Sequence, residues 1–130
     1  MSSGPLVRRL LQICAAGEAG MGLLLLVDPS VVVRVLFGSG ISGAGIVLSR
    51  FAGIALIGLG FAAWPNQSGD SRAGTRGLLV YSVLATTYLA LVGFAGQPAG
   101  PLLWPAVALH FVLTVFLAIS LFGKANTRGK

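Results

Sequence analysis

Charge is what this sequence has least of. Among 130 residues, nine are Lys or Arg and three are Asp or Glu, whereas about a quarter of an ordinary soluble domain is charged. Too few charges remain to coat a water-facing surface. Cysteine is scarcer still: the single Cys14 excludes an internal disulfide, a CxxC redox pair and a thiolate-rich zinc site. One histidine, His110, leaves no second imidazole for a metal centre. The net charge of +6 is not laid out as an aromatic-interleaved basic patch, so no nucleic-acid partner is expected. Neither GxGxxG after a strand nor GxxxxGK[ST] is present, so Gly38-Ser39-Gly40 and Gly43-Ala44-Gly45 read as turn and packing elements and not as a phosphate loop.

What the chain does have is apolar surface. Hydrophobic residues make up 55% of it, the mean hydropathy is +0.91, and nineteen residues are glycine, a residue more frequent in membrane-spanning helices than in soluble ones. A spanning helix needs about 20 mostly apolar residues. Four stretches meet this, about Leu10 to Val27, Gly43 to Trp64, Gly77 to Phe94 and Leu102 to Phe122. They predict a single integral membrane domain over 1–130, an all-α four-helix transmembrane bundle in contact with the lipid bilayer. The Arg8-Arg9 pair before an apolar run resembles the start of a secretory signal. Glu18 interrupts that run, no A-x-A-like cleavage site follows, and three more spans come after it, so it reads as a retained first span.

Between the first two spans, Asp28 is placed to cap a helix and Pro29 to occupy its first position. Val31, Val32, Val35, Leu36 and Phe37 with one Arg34 then predict a short interfacial helix, ended by Gly38-Ser39-Gly40. The Pro65 to Arg76 connection reads as a polar, exposed loop and Ala95 to Pro101 as a tight turn, with Trp64 and Trp104 as interfacial anchors. Arg8, Arg9, Arg72, Arg76, Lys124, Arg128 and Lys130 fall on one side of the spans and only Arg34 on the other. The bias of Lys and Arg places both termini in the cytoplasm of a bacterial-type inner (plasma) membrane.

Three ionisable side chains fall inside the spans: Glu18, Arg50 and His110. A charge at mid-membrane costs about 2.5 to 3.5 kcal/mol, so such groups face the bundle interior, pair, and mark a ligand or ion path. At about 1.5 Å per residue, Glu18 lies about 14 Å, Arg50 about 10 Å and His110 about 12 Å from the outer ends of their spans, with Thr87 and Tyr88 level with them. Ala15, Glu18, Ala19 and Gly22 share one small-residue face, and Gly43, Arg50, Gly53 and Gly60 another. Glu18 and Arg50 are therefore expected to pair. In one reading Arg50 recognises an anionic group, Glu18 holds Arg50 or exchanges a proton, and His110, Tyr88 and Thr87 complete a site for a small or amphiphilic ligand. In the other, Glu18 and Arg50 are only an ion-pair lock in an accessory subunit that docks a membrane complex or a second copy of itself. Cys14 and Glu18 with His110 are a poor metal or haem ligand set, and Ser49 lacks a GxSxG elbow. No catalytic residue and no cofactor is assigned.

An acidic residue in a Gly/Ala-rich first span (Glu18), an Asp28-Pro29 turn, a segment ending in Phe37-Gly38 and an Arg in a Gly-rich second span (Arg50) together resemble the small bacterial four-helix membrane proteins of the DoxX-like kind. The resemblance is one of size, topology and flavour over most of the chain. It implies an accessory membrane subunit of an oxidoreductase and carries no catalytic motif.

Overall fold

The computed structural model describes residues 5–65, 72–96 and 98–123. These form five helices, α1 (Pro5–Val27), α2 (Pro29–Phe37), α3 (Ala44–Ala63), α4 (Arg72–Phe94) and α5 (Leu103–Phe122), and among the described residues there is no strand. Four of them, α1, α3, α4 and α5, are long and apolar enough to cross a membrane. The chain is thus a multi-pass membrane protein. Two helices begin five residues before the expected span, α1 at Pro5 and α4 at Arg72. Arginine is a good helix former, and exposed Arg8, Arg9, Arg72 and Arg76 continue the helices past the apolar runs. The expected Pro65 to Arg76 loop is shorter for the same reason; its residues 66–71, and the basic tail at 124–130, lie outside the described residues.

α2 starts and stops where the sequence indicates. The Asp28 side chain accepts a hydrogen bond from Val31 N at 3.2 Å, satisfying a first-turn donor, and Pro29 occupies the first turn. Gly38 closes the helix at φ 66, a left-handed conformation open to glycine, and its N–H donates to Arg34 O. The next two free carbonyls of α2 are capped from elsewhere in the chain: Gly100 N donates to Leu36 O and Leu102 N to Val35 O. These bonds tie the end of α2 to the α4–α5 turn, and Pro29, Val32 and Val33 are its buried residues.

The long helices pack most closely in two pairs, α1 with α3 and α4 with α5. In the first pair the backbones nearly touch. A Cβ on Gly22 would lie 2.5 Å from Gly53 O, and a Cβ on Gly60 would lie 2.6 Å from Ala15 O. Small residues permit this approach, which gives van der Waals contact where lipid supplies no hydrophobic drive between helices. In the second pair Gly93 receives the Trp104 ring, and Phe94 meets Trp104 edge to face with centroids 5.1 Å apart. Leu11, Ala15, Ala63, Leu78 and Leu117, one or two from each long helix, close the two pairs into one core near the start of α1.

Candidate functional site

The buried face of α1 is Leu11, Ala15, Glu18 and Gly22, three or four residues apart. This stripe continues the apolar core upward and places one carboxyl in it. Glu18 is only 7% exposed. Its partner is Tyr81 of α4: the phenol hydroxyl donates a hydrogen bond to the carboxylate. The Tyr81 ring in turn stands edge to face on the imidazole of His110 in α5, with centroids 5.5 Å apart and planes at 84°. His110 Nδ1 is buried and, among the described residues, has no hydrogen-bond partner. Thr114 Oγ1 donates to the backbone carbonyl of His110 at 2.8 Å and does not reach the ring. Cys14, one turn before Glu18, is a free thiol packed against the apolar core.

Glu18 and His110 are thus joined through Tyr81. The expected pair with Arg50 does not form: Arg50 is exposed, and among the described residues no cation stands at Glu18. The cause is register. Gly22 meets Gly53 and Ile57, and Gly60 meets Ala15 and Ala19, so α1 and α3 run antiparallel with Glu18 level with a point between Ile57 and Gly60. Arg50 then lies about 10 Å or more further along the bundle axis. Equal depth would have needed α1 and α3 to end together. Instead α1 stops at Val27 while α3 reaches past that level, and α2 packs against both at the step.

The same step displaces Thr87 and Tyr88. Gly77 faces Leu59 and Gly74 faces Ala63, which puts the Glu18 level of α4 near Leu78, one turn before Tyr81, and leaves Tyr88 two turns beyond Tyr81. Thr87 is exposed, its hydroxyl spent on Val83 O at 2.8 Å. Tyr88 is 64% exposed and lines a shallow open groove with Phe37, Ser39, Val92 and Pro98. Both belong to the end of the bundle where Arg50 lies, away from Glu18. The buried stripe Thr75, Leu78 and Ser82 of α4 marks the helix face beside Tyr81.

Chemically, the site offers a carboxyl, a phenol and an imidazole nitrogen, with no positive charge among the described residues. Among the described residues no cluster of three His, Cys, Asp or Glu is arranged to hold a metal. No protein-family model, curated protein or solved structure matches this chain.

Proposed function

We propose that the four long helices form a transmembrane bundle in which Glu18, Tyr81 and His110 make an intramembrane site that binds a small or amphiphilic ligand or passes protons. One observation carries this reading: a buried carboxyl hydrogen-bonded to Tyr81 with, among the described residues, no cation beside it. Intramembrane ionisable groups that serve only to hold helices together pair with one another. Glu18 instead keeps its charge balance open to something from outside the chain.

In this arrangement α2 lies along the outer interface of a bacterial-type inner membrane, and both termini are cytoplasmic. Exposed Arg8 and Arg9 at the start of α1, and Arg72 and Arg76 at the start of α4, support that orientation. Arg50 joins Arg34 on the outer side, where its long side chain extends toward the headgroups. Trp64 and Trp104, each about half exposed, suit the two interfaces.

A second reading, an accessory subunit docking a membrane complex or a copy of itself, is favoured by open faces at Gly17, Gly20 and Gly58, where an added Cβ meets nothing within 4 Å. The resemblance to DoxX-like proteins points the same way. Native mass spectrometry of the gently solubilised chain separates the two. A small bound mass lost in Glu18→Gln supports the ligand site. A defined oligomer, bare in both wild type and variant, supports the subunit reading.

A further inference from the structure

We infer that the ligand of this site is a small organic cation, an ammonium carrying apolar groups, which takes the place of a proton at Glu18. The inference rests on the proposed ligand site and names its substrate class. The seam between the two helix pairs supplies the argument. Glu18 belongs to the α1–α3 pair, and Tyr81 and His110 to the α4–α5 pair, so the polar groups meet across the less closely packed boundary. Separating the pairs at that level leaves the Gly22–Gly53 and Gly93–Trp104 contacts intact.

Charge then selects the ligand. Among the described residues Arg8, Arg9, Arg34, Arg50, Arg72 and Arg76 are all exposed and none stands at Glu18, so an anion finds no counter-charge from them there. A neutral ligand brings no charge to exchange for the proton at Glu18. A cation pairs with the Glu18 carboxylate and meets the face of the Tyr81 ring, the arrangement that attracts ammonium groups. The unspent Nδ1 of His110 accepts one N–H where the ligand carries it. The titratable groups around Glu18 are few. They are Cys14 on its own helix, Tyr81 from α4 and His110 from α5. α3 contributes only Arg50, which lies at another level, and α2 carries only Arg34, with Asp28 before it, at the far end of α1. Glu18 is therefore the group at which a proton and a cation compete. When the protonated site takes up a cation, one proton leaves to solvent.

The test is calorimetric titration of the full-length protein in detergent with benzyltrimethylammonium, in two buffers of different ionisation enthalpy, with benzyl alcohol and benzenesulfonate as neutral and anionic probes. The cation is expected to bind with proton release and to bind more weakly as pH is lowered. Glu18→Gln is expected to weaken it about a hundredfold, and Arg50→Ala to leave it unchanged. Equal binding of benzyl alcohol or benzenesulfonate, no binding of the cation, or binding indifferent to both pH and Glu18→Gln overturns the inference. If Glu18→Gln does not fold, the pH dependence and proton release of the wild type decide. Should the cation fail to bind while a neutral mass is still retained through Glu18, the ligand site stands and only its class is wrong. If Glu18→Gln alters neither cation binding nor retained mass, both fall.

Discussion

The Tyr81 hydroxyl donates to the Glu18 carboxylate across the boundary between two helix pairs, joining residues 63 positions apart in the chain. Tyr81→Phe removes the donor and leaves a buried acceptor unpaired, a change that costs about 1 to 3 kcal/mol. Unfolding in mixed micelles is expected to show a loss of this size, while Tyr88→Phe, on an exposed ring, stays within about 0.5 kcal/mol of wild type. Equal effects from the two substitutions would mean that Tyr88 and not Tyr81 serves the site.

Gly53→Ala places a methyl 2.5 Å from Gly22 O, a backbone atom, with Leu25 Cβ and Leu26 N at 3.1 Å. Either α1 and α3 move apart or the backbone distorts, and a loss of about 2 kcal/mol or more is expected. Gly58→Ala, five residues on, points into open space and is expected to be neutral or slightly stabilising, since alanine is the better helix former. The two variants, compared by thermal unfolding in one detergent, test the register of α1 against α3 directly.

Arg50→Gln is expected to change neither the unfolding midpoint nor the retention of any Glu18-dependent ligand, because Arg50 is exposed and unpaired among the described residues. An ion-pair lock predicts the reverse. In that case Arg50→Gln and Glu18→Gln would each destabilise strongly and the double variant would recover much of the loss, the signature of a coupled buried pair.

Asp28→Ala removes the side-chain acceptor for Val31 N, and Gly100→Ala drives a methyl into the Val35 carbonyl. The first loses a helix cap, worth about 0.5 to 2 kcal/mol. The second also breaks the two backbone bonds that fasten α2 to the α4–α5 turn. Hydrogen exchange is expected to show faster exchange confined to α2 in Asp28→Ala, and faster exchange in both α2 and the start of α5 in Gly100→Ala.

Much of the architecture is written along the chain. Apolar runs of spanning length, Asp28-Pro29 before a short helix and Gly38 after it are local signals, and the physics behind them is local too: transfer of side chains to lipid, and the capping of a helix by its own neighbours. So was the burial of Glu18, since a carboxyl on a small-residue face has nowhere cheaper to go. Its partner was not legible in the same way. Tyr81 and Tyr88 are seven residues apart on one face of one helix, and Arg50 shares a face with the glycines that pack against α1, so periodicity ranks them equally. What separates them is how far α3 and α4 rise past the end of α1. The glycine contacts between backbones and the placement of α2 against the α4–α5 turn set that offset, and these are distances between segments far apart in sequence. Four apolar helices, a capped short one and a carboxyl inside the bundle follow from residue order alone; the meeting of that carboxyl with Tyr81, and through it with His110, follows from helix register, which interhelical packing fixes and the helical repeat does not.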